Sequence, residues 1–481
     1  MEKQQPVENK MGVEPIRSLV LKMSFPMMVS MLMQAMYNIV DSIFVSRISE
    51  NALTAVSLVF PYQMLIVAVA VGTGVGVNSL VARRLGEKRQ EDANRAAAHG
   101  EFLSLLSGAA FGLLFALFTP QLIAVFNPDA EIYDYACTYL YYVGVPCIFL
   151  IFQCMFEKIL QATGDTFHAM LSQLTGAIFN IVFDPILIFG LLGFPKLGVA
   201  GAAIATVLGQ LLGMLVGMYY LHKDNGLIQV KLRGFRPQRQ FISEIYRVGL
   251  PSIVMQAIGS VTNFGMNKIL IAFTPTAVSV LGVYFKLQSF VFMPVFGLNS
   301  GTMPIMSYNY GARNRKRVEE ALRCGCLYAV AIMSVGTVLF QIFAEQFLLL
   351  FDASAFMLEI GVPALRIISW CFPVAAVSIM FSTLFQAIGN GKLSLFVSAC
   401  RQLAVILPVA YFLSQAFGLK ATWWAYPIAE AISMAVSAVL LVRTLAHPDR
   451  HPGRCHISRR AHAKGAALAR PIRTAKRPFF C

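Results

Sequence analysis

The sequence predicts an all-α polytopic membrane protein, with twelve transmembrane helices in two six-helix lobes related by a pseudo-two-fold axis along the membrane normal. Three observations lead there, and composition is the first. The 481 residues are 57% hydrophobic and 13% charged, whereas soluble globular chains run about 45–50% apolar and about 25% charged. Too little polar material remains to coat a soluble surface, so a water-soluble enzyme is excluded. Second, a helix needs roughly 20 mainly apolar residues to cross a bilayer, and the apolar residues suffice for about twelve crossings. Third, short segments recur 225 positions apart, and self-similarity at a fixed period marks a repeated architecture.

In chain order, residues 1–18 form a polar cytoplasmic segment with no small-residue cleavage site behind it, and so no cleaved signal peptide. Six spans follow near 19–46, 53–82, 96–118, 137–160, 169–192 and 199–221, giving an N-lobe of 19–221. A basic cytoplasmic linker, 222–243, carries Lys223, Lys231, Arg233, Arg236 and Arg239. The C-lobe, 244–445, repeats the plan with spans near 244–273, 278–306, 321–348, 362–386, 393–416 and 422–445. Residues 446–481 hold nine Lys or Arg and no apolar run, a basic cytoplasmic tail expected to be disordered beside the anionic inner leaflet.

An even number of spans puts both termini on one side. Lys and Arg number 22 in the loops and helix ends of that side before the tail is counted, against Arg47, Lys196 and Lys420 on the other. The positive-inside rule makes the rich side the cytoplasm. The expectation is a multi-pass protein of the cell's inner (plasma) membrane with both termini cytoplasmic. The formal charge of +15 reports this orientation, since residues 443–481 alone contain ten basic residues and one acidic residue.

One offset of 225 serves four separate matches. Pro26 recurs as Pro251, and Gln161-Ala162-x-Gly164 recurs as Gln386-Ala387-x-Gly389. VGTGVG (71–76) aligns with FGLNSG (296–301), and Gly86 with Gly311. Six helices per half bring both halves into the membrane from the same side, as parallel repeats with substrate expected between them near the midplane. The glycine-rich segments read as close helix packing through small residues.

No G-x-x-x-x-G-K-[ST] occurs, so uphill transport has to draw on an ion gradient. Carboxylates inside the hydrocarbon then matter most, because a charge at a helix centre costs roughly 2.5–3.5 kcal/mol on insertion scales. The clearest are Asp41 and Asp184. Gln34, Tyr37, Asn38 and Asp41 are spaced three or four apart along the first span. Gln173, Asn180 and Asp184 share one face of the fifth. Two polar stripes in one lobe suggest a lined cavity. Pro185 removes the amide that would cap the Ile181 carbonyl, leaving an extra oxygen beside two carboxylates and an amide. Such a set suits a proton or a small hard cation, with Asp41, Asn180 and Asp184 as ligands if the ion is Na⁺. In the second half Met266 stands opposite Asp41, and Glu430 in the last span is the remaining acidic residue with a cation or substrate role open to it.

These residues resemble the multidrug and toxic compound extrusion (MATE) family over about residues 15–445. The likeness rests on FPMMVSMLMQAMYNIVDSIFVSR (25–47), QATGDT (161–166) with QAIGNG (386–391), FNIVFDP (179–185), GVAGAAIAT (198–206) and the two six-helix halves. The resemblance implies a V-shaped cleft and an antiporter that exports organic cations and drugs in exchange for H⁺ or Na⁺, with no other cofactor. It implies an N-lobe ion site at Asp41, Asn180, Asp184 and Thr206, with Thr206 entering through the resemblance alone. It also implies a first helix that is straight or bent, for which Pro26 supplies the hinge.

The expected function is therefore secondary active multidrug efflux by alternating access. The expected partners are small organic cations or drugs and membrane lipids, with no nucleic acid, and the protein is expected to be a monomer. Gln34, Tyr37, Asn38, Gln173 and Glu430 are expected to line the substrate cleft. A lipid-linked oligosaccharide flippase is the alternative. It would require an arginine-lined cavity, for which only Arg401 and Lys268 are offered. A membrane-embedded enzyme would require paired His or Asp motifs, and none is visible.

Overall fold

The structure is a computed structural model describing residues 9–223, 227–230 and 235–446, and all regular structure among them is helical. A short helix α1 (Lys10–Val13) precedes the first lobe. That lobe comprises α2 (Ile16–Ser46), α3 (Glu50–Gly86), α4 (Gln90–Ala124), the bent pair α5 (Ala130–Gly144) and α6 (Ile148–Thr163), α7 (Thr166–Phe189) and α8 (Val199–Lys223). The second lobe repeats the order with α9 (Arg239–Ile271), α10 (Pro275–Gly311), α11 (Arg315–Leu349) and the bent pair α12 (Ala355–Ser369) and α13 (Phe372–Ala387). It ends with α14 (Gly391–Ala399), a π-helical segment (Cys400–Ile406), α15 (Leu407–Phe417), α16 (Leu419–Thr422) and α17 (Ala425–Ala446). The tail from 447, with Lys231 and Arg233 of the linker, lies outside the described residues.

Among the described residues, nine helical stretches are long and apolar enough to cross a membrane, and two more crossings are the pairs α5–α6 and α12–α13. α9 completes the twelve by its length of 33 residues, its apolar content diluted by Gln256, Asn263, Asn267 and Lys268.

The spans expected as unbroken helices at 137–160 and 362–386 are each two helices, meeting at 44° and 47°. Proline explains both breaks, because it lacks the N–H and its ring crowds the carbonyl four residues back. Pro146 lies in the gap between α5 and α6. Pro373 opens α13, and the Ser369 carbonyl it leaves free accepts instead from Thr337 Oγ1 at 3.0 Å. At the other ends of α3 and α10 the helices run further than hydropathy alone indicates. Only residues 87–89 and 312–314 connect them to α4 and α11, so most of the charge expected in loops sits on helix ends. Arg83, Arg84, Arg89, Arg313 and Arg317 make this the basic end of the lobes.

The repeat is exact in register. α3, α4 and α5 map onto α10, α11 and α12 at both termini when 225 is added. The connections share their backbone as well. Lys88 and Arg313 have φ of 58° and 57°, Asn127 and Asp352 have 49° and 53°, and Gly164 and Gly389 have 95° and 82°. A positive φ at a non-glycine residue is uncommon, so paired occurrences mark one turn geometry used twice. Ser49 and Thr274, another such pair, cap α3 and α10 through their side-chain oxygens.

The lobes interlock at the basic end. A Cβ on Gly72 would meet Ile253 N of α9 at 2.9 Å, and one on the paired Gly297 would meet Met28 N of α2 at 2.6 Å. Gly76 and Gly301 are placed alike against Ile245 of α9 and Ser24 of α2, and Gly86 and Gly311 against the Tyr308 and Arg83 carbonyls. The glycine segments are thus the faces on which α3 receives α9 and α10 receives α2. Small residues let backbones approach this closely. By internal contacts the described residues up to Ala438 form one compact unit, and those from Val439 group apart from it. Both lobes up to Ala438 fall in the first.

Candidate functional site

α2 divides its contacts between the lobes. Ser24 and Met28 lie on α10, with Ser24 Oγ donating to the Leu298 carbonyl at 3.2 Å. Beyond Met28 the helix turns to the first lobe, where Gln34 Oε1 accepts from Gln173 Nε2 of α7 at 2.9 Å. Two turns further along this α2–α7 seam, the carboxyls of Asp41 and Asp184 lie against one another. The 3.6-residue period places Gln34 and Asp41 on one face, seven residues apart.

Asp184 is fully buried and Asn180 and Thr206 nearly so, while Asp41 is half-buried. The Asn180 amide is fixed by its donors, since Nδ2 donates to Asp184 Oδ1 at 3.2 Å and to Thr206 Oγ1 at 3.1 Å. Thr206 is held in turn by donating to the Ala202 carbonyl one helical turn back, at 3.0 Å. With both donors spent on oxygens, the amide orientation is determined and its own oxygen is left over. Three buried oxygens of this group have no hydrogen-bond partner: Asp41 Oδ1, Asp184 Oδ2 and Asn180 Oδ1. An unsatisfied buried acceptor costs about 1–3 kcal/mol, so their coincidence marks a place for a shared proton or a small oxygen-seeking cation. The residues present fit either one.

Tyr37 lies beside Asp41, Asp184 and Thr206. Tyr139 of α5 lies beside Asp41 and Tyr37, with Gln63 of α3 against its hydroxyl. The structure therefore brings together Gln34, Tyr37, Asp41, Gln173, Asn180, Asp184 and Thr206 along one seam. It adds Tyr139 and Gln63, which the sequence did not single out. No helical spacing could have found these two, because they come from other helices and meet the site only through packing. Asn38 is exposed, off the seam although it shares the spacing.

Glu430 has a different setting. Its Oε1 is 3.0 Å from Arg401 Nη1 of the π-helical segment, and its other neighbours, Tyr284 and Cys371, belong to the second lobe. Met266 and Val409 stand 225 residues beyond Asp41 and Asp184, so the second lobe holds no counterpart of the carboxyl pair. Sequence reasoning also passed over Glu157 and Lys158, both buried inside α6. Gln161 joins them, with Lys158 Nζ donating to its Oε1 at 3.0 Å and its Nε2 donating to Glu157 Oε1 at 2.8 Å. Adjacent opposite charges inside a span were the available signal, masked because Lys158 falls near the span's end.

A family model, MatE, matches residues 26–186 and 251–412, two stretches that begin 225 residues apart. The multidrug export protein MepA of Staphylococcus aureus (strain MSSA476) is 26% identical over 441 residues, covering 90% of this chain and 94% of that protein. Among solved structures, an outward-facing multidrug resistance MATE family transporter of the MOP superfamily superimposes with a TM-score of 0.87 at 29% identity, covering 92% of this chain and 99% of that one. A MATE crystallised in complex with MaL6 gives 0.86 at 30% identity, covering 92% and 99%. Matched through both halves of the repeat, with the twelve-helix fold and the carboxyl seam on one lobe, the chain belongs to the MatE family of membrane transporters.

Proposed function

We propose that this chain is a secondary active multidrug efflux antiporter, exporting organic cations or drugs in exchange for H⁺ or Na⁺ by alternating access. It works as a monomer in the inner (plasma) membrane, basic end and both termini toward the cytoplasm. One observation carries this reading: the Asp41–Asp184 pair on the α2–α7 seam, with three buried partnerless oxygens around it. Two carboxylates in contact repel unless a proton or a cation lies between them. Loading the pair therefore draws α2 toward α7, and emptying it lets them part.

A bound ion can bias two conformations only by the difference in its affinity for them. The seam supplies such a difference, because its ligands come from two helices that can separate. Pro26, placed where α2 passes from the second lobe to the first, is the hinge about which that separation occurs. Gln34, Tyr37, Asn38 and Gln173 line the drug path beside the seam. Glu430, paired with Arg401, offers a charged wall on the second lobe. The name of the S. aureus relative, a multidrug export protein, supports drugs as the cargo. A flippase for pyrophosphate-linked lipids would need unpaired arginines, whereas Arg401 is committed to Glu430 and the Lys268 ammonium lies over the Phe264 ring.

Cells producing the Asp41→Asn variant should retain a fluorescent cation that cells producing the wild type expel, at equal amounts of inserted protein. Expulsion at the wild-type rate would sink the proposal.

A further inference from the structure

Helix α1 touches both lobes. On the second lobe, Asn309 Nδ2 of α10 donates to the Met11 carbonyl at 2.9 Å. Arg317 of α11 reaches the same carbonyl at 3.1 Å and the Glu14 carbonyl at 2.7 Å through Nη2. Arg317 Nε donates to Asn309 Oδ1 at 3.1 Å, which fixes both donors against the backbone of α1. Gly12 lies so close to α10 that a Cβ there would meet the Tyr308 ring at 3.1 Å.

On the first lobe, Asn9 Nδ2 donates to the Thr163 carbonyl at 3.2 Å. α1 also covers the Gly164 turn, where a Cβ would meet Lys10 Cε at 3.1 Å. Met11, between the two sets, is fully buried.

The repeat shows that the second-lobe anchorage is systematic. Asn309 stands 225 residues after Arg84, and Arg84 pairs with Glu244 near the start of α9 at 2.6 Å. The same repeat position thus holds the root of the opposite lobe's first long helix in both halves. In the first half the chain ahead of that helix also grips its own lobe, through Asn9. If the basic ends part, one set of α1 contacts has to break. Among the described residues, Asn309 and Arg317 hold the segment to the second lobe through three donated bonds, two of them from a guanidinium and so of the stronger kind, and Asn9 donates one neutral bond to the first.

We propose that Asn9–Glu14 is a latch that keeps the basic ends of the lobes together. Opening proceeds by release of Asn9 from the Thr163–Gly164 turn, while the segment stays with α10 and α11. Arg317 and Asn309 are positioning residues in this device. The inference rests on the alternating-access reading.

The test uses Ser79→Cys in a background with the native cysteines replaced. Ser79 is buried between the lobes, donating to the Gln386 carbonyl at 2.8 Å and the Ala387 carbonyl at 3.2 Å, so its thiol reacts only when the basic ends separate. Full-length protein in lipid nanodiscs is labelled with a polar maleimide. Asn9→Ala should raise the labelling rate about threefold, the scale of one lost neutral bond, and Arg317→Ala about tenfold, the scale of one lost charge-assisted bond. Arg317→Lys should restore part of the protection. Lys22→Ala, which removes only the exposed Lys22–Glu14 pair, should leave the rate unchanged. Labelling equal in wild type and in both alanine variants, with melting temperatures equal, overturns the latch and leaves alternating access standing. Absence of labelling in every variant, with and without a fluorescent cation, overturns both. Were Arg317→Ala to fail to insert, Asn9→Ala alone decides.

Discussion

The amide of Asn180 shows how one side chain can shape the proposed ion site without bearing charge. Its two donors are spent on Asp184 and Thr206, so its oxygen joins those of the carboxyls as a free ligand. Thr206→Val keeps the shape but removes the acceptor that orients the amide, and the loss of one such bond is worth about 0.5–1.5 kcal/mol. The coupling-ion concentration giving half-maximal transport should rise about two- to tenfold, and Thr206→Ser should keep the wild-type value. Titrating transport against the ion in reconstituted vesicles measures it, and an unchanged midpoint for Thr206→Val would remove the threonine from the site. At this scale the sequence was informative where charge and period coincide. Asp41 and Asp184 stand out as carboxylates in hydrocarbon, and the seven-residue spacing of Gln34 and Asp41 puts both on the seam. Asn38 obeys the same spacing yet is exposed and off the seam, because a polar stripe about 100° wide leaves its shoulders undecided. Tyr139, from α5, was illegible because its approach to the seam is a product of packing between helices.

Helices in this chain are joined by what their glycines and prolines permit. Gly86 abuts the Tyr308 carbonyl, so Gly86→Ala forces α3 and α10 apart, and overpacking of this kind costs about 1–3 kcal/mol. Gly282, in the interior of α10 with open space where a Cβ would go, is the control. Gly282→Ala should be neutral or stabilising by up to about 1 kcal/mol, the helix-propensity gain. Thermal unfolding in detergent separates the two, and equal melting temperatures would contradict the packing account. Pro26→Ala returns the missing amide to the middle of α2 and stiffens the hinge. Transport should slow while the melting temperature holds or rises, and a variant that transports at the wild-type rate would deny Pro26 that role. The glycine faces were legible as small-residue packing, and the structure supplies their partners, α9 and α2. The two bends were not legible from hydropathy, which averages across Pro146 and Pro373.

The two lobes share a backbone and differ in chemistry. Turn geometries, caps and helix ends repeat at 225, yet the carboxyl pair belongs to the first lobe and an arginine–glutamate pair to the second. In the proposed antiporter a duplicated scaffold with one carboxyl seam divides the labour, the first lobe sensing the gradient and the second closing against it through α2 and α9. Twelve spans and the repeat were readable from composition and self-similarity. The interlocking of the lobes was not, because which helix crosses to the opposite lobe is settled by tertiary packing. The central claim is that the Asp41–Asp184 seam converts an ion gradient into drug movement. Its most direct test is uptake of a fluorescent cation by proteoliposomes under separately imposed pH and sodium gradients, for the wild type and for Asp41→Asn. The account predicts that the wild type moves the cation under one of the two gradients and the variant under neither. Uptake indifferent to both gradients, or a variant that keeps pace with the wild type, would contradict it.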